Sequence, residues 1–192
     1  MSDANATAAR RTIPNGIWGM LLFIATEGTL FGTLIGTYFY LRFRSAQWPP
    51  AGIEAPSVAL PLALTAALVL STVPMLAAGR AARRGRVAPT WLLVAAATVV
   101  QGGYLAWQIV SYLGDLDTFS PADTSYGSIY FTLLGADHAH VAIGIVLNLW
   151  VLARLLSGLT DYRVVTVRAV ALYWAFVGAL TVIVTLTQVS PS

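Results

Sequence analysis

The first long apolar stretch of this sequence reads Trp18-Gly-Met-Leu-Leu-Phe-Ile-Ala-Thr-Glu27-Gly-Thr-Leu-Phe-Gly-Thr-Leu-Ile-Gly-Thr-Tyr38, and its one charged residue is Glu27. A helix of this length can cross roughly 30 Å of hydrocarbon. Glu27 would then lie near the middle of the bilayer, where a carboxylate is costly unless the fold gives it a role. Glu27 is therefore the strongest local pointer to function.

Apolar segments of this kind recur along the whole chain. Together with the first they cover about residues 17–41, 59–79, 89–113, 127–156 and 168–190. The composition agrees, with 57% hydrophobic and 10% charged residues and a mean hydropathy of +0.73. These values leave no segment polar enough for a separate soluble domain. The sequence predicts an all-α, polytopic membrane protein: a segment 1–16 followed by one five-helix membrane domain, 17–190.

The basic residues, all of them arginine, orient the predicted helices. The side that carries the N-terminus holds nine of the eleven: Arg10, Arg11, Arg80, Arg83, Arg84, Arg86, Arg154, Arg163 and Arg168. The other side holds only Arg42 and Arg44. Because positive charge accumulates on the cytoplasmic side, we expect a cytoplasmic N-terminus and an external C-terminus. The region Met1–Arg11 resembles a signal-peptide start, but the apolar run that follows is too long and has no cleavage site, so we expect a retained first helix.

Composition and motifs exclude several classes of function. The absence of cysteine excludes disulfides, thiolate metal ligands, iron–sulfur clusters and cysteine nucleophiles. The net charge of +3 follows membrane topology, so nucleic-acid binding is not indicated. Hydrolase triads, phosphate-binding glycine loops and nucleotide fingerprints are absent from the sequence. We therefore expect no catalytic centre, no metal and no cofactor in this chain itself.

The first helix has two different faces when its residues are placed at about 100° per residue. One face carries small residues, Gly28, Gly32 and Gly36, and is predicted to let another helix approach closely. Glu27 lies on the other face, among bulky apolar side chains. Two interpretations stay open for it: a protonated acid hydrogen-bonded to a neighbouring helix or a lipid headgroup, or a proton-relay group.

The fourth apolar segment holds a second polar group of residues, Gly135-Ala-Asp-His-Ala-His-Val-Ala-Ile-Gly144. Asp137 and His140 share a helix face, which makes a hydrogen bond between them reasonable. His138 and His140 are two residues apart and point away from each other, so a regular helix does not let both bind one metal ion. A membrane-embedded haem usually needs two axial histidines on different helices, and this chain has no other histidine. The histidines are interpreted as groups satisfied by neighbouring helices.

Two longer connections are predicted on the side away from most arginines. The first, 42–58, is rich in proline and cannot form another helix. The second, 114–126, carries Asp115, Asp117 and Asp123. These carboxylates are either simply solvated or attract a cationic partner such as a basic electron carrier.

Several ordered motifs together resemble subunit III of the haem–copper respiratory oxidases, the cytochrome c and quinol oxidases. They are Gly19-Met-Leu-Leu-Phe-Ile-Ala-Thr-Glu27, Trp48-Pro-Pro-Ala-Gly-Ile53, Gln101, Ser125-Tyr-Gly-Ser-Ile-Tyr-Phe131, His140-Val141 with Gly144, and Tyr173-Trp174-x-Phe176-Val177. The resemblance covers nearly the whole chain from Trp18 onward. Longer members carry two further N-terminal helices, so this chain resembles the shorter bacterial form.

The sequence departs from the family pattern at three places. Asp137 stands where the family usually has a histidine, Tyr104 aligns with a frequent glutamate, and the last helix reads Trp174-Ala-Phe-Val-Gly178 in place of Trp-His-Phe-x-Asp. These changes remove the usual polar partners near the third to fifth helices. They suggest a divergent branch, such as a less common oxidase or a nitric oxide reductase-associated complex.

The resemblance implies a redox-inactive subunit of a proton-translocating terminal oxidase in the bacterial plasma membrane. Haem and copper would reside in partner subunits I and II, while this chain packs beside subunit I, binds phospholipid and supports proton uptake and durability. Glu27 and His140 carry over from the family, with Asp137 beside them as a third lipid- or proton-related residue. Cytochrome c or a supercomplex would be further partners. A small proton-coupled transporter and a transient assembly factor remain alternatives, although transporters usually show repeats or interrupted helices.

Overall fold

A computed structural model describes residues 13–54 and 57–190, and within these ranges every regular element is a helix. The helices are α1 Asn15–Arg44, α2 Ala59–Leu70, α3 Thr72–Arg83, α4 Val87–Thr118, α5 Ser125–Leu155 and α6 Asp161–Val189. Since α2 and α3 form one span, five segments are long and apolar enough to cross a membrane, and the predicted all-α five-span architecture is confirmed. Arg10 and Arg11, with most of the predicted segment 1–16, lie outside the described residues. The orientation in the membrane stays a prediction.

The last helix begins at Asp161, earlier than the predicted residue 168. Thr160 caps it, because the side-chain oxygen of Thr160 accepts a hydrogen bond from the backbone N–H of Arg163 at 3.3 Å. Asp161 adds a carboxylate in the first turn, where the helix dipole favours negative charge. Hydropathy alone misses this turn because its charged residues belong to the end of the helix and not to the apolar core.

The fourth helix similarly continues to Thr118, so the predicted connection 114–126 shrinks to residues 119–124. Asp115 therefore lies within α4 and not in a solvated loop. Its Oδ2 accepts a hydrogen bond from the Tyr130 hydroxyl at 2.7 Å. Asp117 is exposed, and Asp123 accepts from the backbone N–H of Ser120 at 3.3 Å.

The second span is interrupted at Ser71, a feature that the sequence analysis did not predict. Pro74 explains the interruption, since proline has no N–H to donate to the carbonyl of Leu70 and its ring crowds that carbonyl. The Ser71 hydroxyl donates to the Leu68 carbonyl at 2.6 Å and accepts from the side-chain amide of Gln101 at 3.1 Å. The Thr72 hydroxyl likewise donates to the Val69 carbonyl at 2.6 Å, so side-chain hydroxyls supply hydrogen bonds to the carbonyls beside the break.

The bundle is built around α6, which packs against α1, α2, α3 and α5, while α1 touches only α5 and α6. In the most apolar stretch of α6, 61% of the residues are buried, compared with 6% in that of α1. The helices alternate in direction and give the bundle two ends. The arginine-rich end contains the start of α1 and the α3–α4 and α5–α6 connections, and the Trp48 end contains the α1–α2 and α4–α5 connections.

The contact between α5 and α6 depends on one glycine. A Cβ atom added at Gly144 would lie 2.5 Å from Cζ2 of Trp174. The indole is fully buried and lies directly on the backbone of α5. Gly144 and Trp174 belong to two different sequence motifs, and close packing of the helices is the reason that both are needed.

We expect the Gly144→Ala variant to lose about 1–3 kcal/mol of stability, because the added methyl group forces Trp174 out of its site. Thermal unfolding of the purified protein in mild detergent measures the loss. Gly103→Ala on α4 is the control, since a Cβ there meets nothing within 4 Å. Equal stability of the two variants would contradict the packing argument.

Candidate functional site

The intramembrane glutamate is paired with a histidine from another helix. Oε2 of Glu27 on α1 lies 3.1 Å from Nε2 of His140 on α5. The other ring nitrogen of His140, Nδ1, lies 2.8 Å from the carbonyl oxygen of Ala136. The sequence analysis singled out both residues but did not predict that they meet. This contact joins the most peripheral helix to the bundle through side chains near mid-membrane.

The hydrogen-bond partners define how many protons the pair holds. The Ala136 carbonyl can only accept, so Nδ1 of His140 carries a proton. The 3.1 Å contact then needs one further proton, located either on Glu27 or on Nε2 of His140. In the first case both groups are neutral, and in the second they form an ion pair. Either arrangement has no net charge, which is the state that costs least in a low-dielectric region.

The pair lies at the edge of the bundle. The side chains of His140 and Glu27 are 10% and 19% exposed in this chain. Phe31 contacts the imidazole edge-on with ring centres 5.2 Å apart. Tyr173 on α6 donates its hydroxyl to the backbone carbonyl of His140 at 2.7 Å. Three helices therefore position the imidazole, while the carboxylate borders the outer surface.

Asp137 does not hydrogen-bond to His140, so that prediction was wrong. Its Oδ1 instead accepts from the Thr181 hydroxyl on α6 at 2.9 Å. Sharing a helix face brings Asp137 and His140 near each other, but each side chain turns to a different neighbouring helix. Asp137 is only 1% exposed, so this carboxyl is enclosed by the bundle.

The two histidines face different helices, as their spacing predicts. His138 packs edge-on against Tyr112 of α4 with ring centres 5.7 Å apart. No described residue hydrogen-bonds to its Nε2 atom, so the expectation that neighbouring helices satisfy the histidines holds for His140 but was wrong for this nitrogen of His138. Among the described residues, no group of three or more histidine, aspartate or glutamate side chains is arranged to hold a metal ion.

A second interior network lies nearer the arginine-rich end. The Asn148 amide donates to Oε1 of Gln101 at 2.7 Å and to the Thr98 hydroxyl at 3.0 Å. Oδ1 of Asn148 accepts from the Trp174 indole N–H at 2.9 Å. Gln101 and Trp174 stood among the recognised motifs, whereas Asn148 was missed. Its polar side chain inside an apolar segment was the available signal.

The aromatic motifs meet at the Trp48 end. The indole N–H of Trp48 donates to the Tyr38 hydroxyl at 2.9 Å. The Trp48 ring also contacts Tyr126 edge-on, with ring centres 4.9 Å apart. The α1–α2 connection is thus anchored to α1 and α5, and motifs that are far apart in sequence pack into one cluster.

The small-residue face of α1 is not covered by any of the described residues. Cβ atoms added at Gly28, Gly32 or Gly36 would meet nothing within 4 Å. The threonines beside them hydrogen-bond to carbonyls of their own helix, as Thr33 does to Thr29 at 2.9 Å. The predicted helix-packing role of these glycines therefore needs a helix from outside the described chain and stays a prediction.

A family model described as cytochrome c oxidase subunit III matches residues 4–188 of this chain. Cytochrome c oxidase subunit 3 of Lumbricus terrestris is 33% identical over 135 residues, which cover 66% of this chain and 51% of that protein. The chain thus spans about half the length of this relative.

Two shorter relatives are matched over most of their length. The probable quinol oxidase subunit 3 of Staphylococcus epidermidis is 28% identical over 176 residues, covering 86% of this chain and 84% of that protein. Cytochrome c oxidase subunit 3 of Thermostichus vulcanus is 27% identical over 173 residues, covering 87% of this chain and 83% of that protein.

We expect Glu27 and His140 to be energetically coupled. In a double-mutant cycle with Glu27→Leu and His140→Leu, the coupling should be about 1 kcal/mol, the scale measured for hydrogen bonds between membrane helices. Unfolding in mild detergent provides the four stabilities.

The matched control is a second cycle with Asn148→Leu in place of His140→Leu. Asn148 shares no hydrogen-bond partner with Glu27, so the stability losses of Asn148→Leu and Glu27→Leu should add. Glu27→Gln should keep most of the coupling, since an amide N–H can donate to neutral Nε2. Additivity of Glu27→Leu with His140→Leu would disprove the coupling.

Proposed function

This chain belongs to the cytochrome c oxidase subunit III family, and we propose that it is the redox-inactive third subunit of a cytochrome c-type terminal oxidase in a bacterial plasma membrane. In this proposal it packs beside subunit I, with subunit II in the same complex, binds phospholipid, and supports proton uptake and durability in aerobic respiration. The observation that carries the proposal is the Glu27–His140 contact, in which two residues of separate family motifs complete each other.

The chemistry of the chain supports the placement of haem and copper in the partner subunits. The sequence has no cysteine and two histidines. Both ring nitrogens of His140 are already in hydrogen bonds. An axial haem ligand needs one of these nitrogens free, and binding would break a contact that joins α1 to the bundle. His138 has a ring nitrogen without a described partner, but one histidine is fewer than the two that a membrane haem usually needs, so we assign metal chemistry to other chains.

The uncovered face of α1 supports a permanent place in a complex. Glycines one turn apart let a second backbone approach closely, which favours helix association in lipid. Gly28, Gly32 and Gly36 form such a face, and the described chain leaves it free. We assign this face to a helix of a partner oxidase subunit, with subunit I as the expected neighbour.

A cavity at the arginine-rich end supports the proposed binding of phospholipid. It has a volume of about 350 Å³ and is lined by Arg80, Arg83 and Arg168 together with apolar side chains of α1, α3 and α6. None of the three guanidinium groups forms an ion pair with a described residue. A basic pocket between membrane helices suits a phosphate headgroup, and its apolar walls suit the attached acyl chains. The proposed cytoplasmic location of this end would make the lipid one of the inner leaflet.

Quinol oxidation is the second candidate for the complex. The quinol oxidase subunit of Staphylococcus epidermidis is matched over 84% of its length and the cytochrome c oxidase subunit of Thermostichus vulcanus over 83%, so relatives of both kinds match equally well. The donor would bind partner chains in either case, so the proposed role of this chain is the same for both. A nitric oxide reductase-associated complex and a transient assembly factor predict other co-purifying chains.

Purification of the tagged chain in mild detergent tests the assignment. We expect it to bring a large haem-bearing subunit with it, seen as a- or o-type bands in a reduced-minus-oxidised spectrum, together with chains identified by mass spectrometry. Gly32→Leu should reduce the haem recovered per tagged chain several-fold, because the added side chain blocks the close approach of the partner helix.

Gly103→Leu on α4 is the matched control, since it also has no neighbour within 4 Å in this chain. A colourless chain without partners would overturn the oxidase assignment and bring forward transport assays in vesicles. Equal haem recovery with both variants would overturn only the assignment of the α1 face.

We expect a Glu27→Gln oxidase to keep its ratio of protons pumped to electrons transferred. The pair has no net charge in either protonation state, and glutamine preserves its hydrogen bond, so Glu27 is assigned a positioning role and not a pumping role. Proton release by reconstituted vesicles during turnover measures the ratio. A strong loss of pumping with normal haem content and subunit composition would contradict this assignment.

A further inference from the structure

A polar cavity opens into the bundle from the Trp48 end, away from the Glu27–His140 pair. It has a volume of about 310 Å³ and lies among α2, α4, α5 and α6. We call it the Gln188 cavity. Its polar lining includes Gln108, Ser111, Asp115, Tyr130, Thr185 and Gln188. The rest of the lining is apolar, with side chains such as Leu60, Leu64 and Trp107, so it is the polar members that are costly against lipid tails and need polar partners.

The side chain of Gln188 is the clearest sign of what the cavity holds. The residue is only 7% exposed, yet no described residue hydrogen-bonds to either its amide nitrogen or its amide oxygen. Buried amides are nearly always hydrogen-bonded, either to protein or to ordered water. A polar cavity of this volume has room for several water molecules, each of which needs two to four polar partners. The amide atoms of Gln188 are themselves enclosed beside the cavity, and a small turn of the side chain would offer such water both a donor and an acceptor.

The cavity continues towards the surface of the Trp48 end. A second cavity of about 430 Å³ shares Ser57 and Asp115 with it. Glu54 and Thr118, both exposed, line this outer part. The boundary between the two is marked by the Asp115 carboxylate, which accepts a hydrogen bond from Tyr130. Polar groups thus continue from the surface of the Trp48 end into the bundle.

The polar lining also continues inward along α6. Thr185 in the cavity wall shares a hydrogen bond of 2.8 Å with Thr65 on the second span. One helical turn deeper, about 6 Å along the axis, Thr181 donates to the buried carboxyl of Asp137. A water molecule held between the two threonine turns would complete a path from the cavity to Asp137, with the hydroxyls of Thr181 and Thr185 as its partners.

We propose that the Gln188 cavity is a water-filled inlet that connects Asp137 with the solution at the Trp48 end. Through it the Asp137 carboxyl exchanges its proton with that solution. Three other titratable groups lie close enough to interact with Asp137 electrostatically: His140 on α5, Tyr104 on α4 and Tyr173 on α6. The inlet rests on the proposed membrane placement of the five helices and not on the identity of the oxidase.

The absence of cysteine makes the inlet directly testable. We use the single-cysteine variants Gln188→Cys and Thr185→Cys in the complete complex in native membranes. The membranes are treated with a charged, membrane-impermeant methanethiosulfonate. Mass spectrometry then measures how much of this chain is labelled. The matched controls are Ile183→Cys and Leu186→Cys, on the lipid-facing side of the same helix and 48% and 51% exposed. Such reagents need the thiolate, which forms in water and not in lipid, so cavity positions should react at least about tenfold faster than the controls.

The deepest position uses a smaller probe. Silver ion, which can follow narrow water paths, is first added to the folded complex, and the chain is then unfolded and treated with an alkylating reagent. The thiol of Thr181→Cys should be bound by silver and escape alkylation, whereas the thiol of Ile183→Cys should be alkylated. Ser111→Cys on α4 supplies a second cavity position if Thr185→Cys fails to assemble. Assembly of every variant is checked by haem content and subunit composition.

Labelling of the cavity positions at the rate of the controls would overturn the proposal, since lipid or a partner subunit would then fill the cavity. Reaction only from the membrane face that bears the arginine-rich end would overturn the assigned direction. Reaction at Thr185→Cys without silver protection at Thr181→Cys would show that water stops short of Asp137. If the chain purifies without haem-bearing partners, the oxidase assignment fails, but the labelling pattern in membranes still decides the inlet.

Discussion

The interior of this bundle depends on one constraint, which is that polar side chains within a membrane must find partners on other helices. The fifth helix, α5, meets the constraint in three directions. Asp137 bonds to α6, His140 to α1, and Asn148 to α4 and α6. Each bond joins α5 to a helix that apolar packing alone would hold with little directional preference. The hydrogen bonds therefore specify which helices are neighbours and in what rotation.

Close packing complements these bonds. The indole of Trp174 donates to Asn148 and also lies against the backbone of α5 at Gly144. Any side chain at Gly144 would separate the two helices and break the hydrogen bond one turn away. Gly178 works in the same way against the second span, where an added Cβ would lie 3.2 Å from Thr72. The residue that departs from the family pattern at Gly178 thus lets α3 and α6 approach closely.

The outer helix, α1, contacts the bundle along one side only. One side provides Glu27, Phe31 and Tyr38 to the bundle, and the opposite side exposes glycine and threonine. A helix with so little buried surface is held mainly by the Glu27–His140 contact and by the aromatic cluster around Trp48. This arrangement suits a subunit whose outer helix is completed by a neighbour. It also places the pair at a boundary between this chain and whatever covers α1, while Asp137 remains enclosed.

The all-α class, the five spans, the family and the candidate residues Glu27, Asp137 and His140 could all be predicted from the sequence, because hydropathy and local motifs depend only on residues near one another along the chain. The helix ends could not, since the charged turns at Asp161 and Asp115 belong to helices but not to apolar segments. The packing of the helices was needed to learn that Glu27 meets His140, that Asp137 turns to Thr181, and that Gln188 lines a cavity. The physical reason is that helical periodicity gives the direction of a side chain about its own axis, whereas its partner depends on which helices pack together and at what depth.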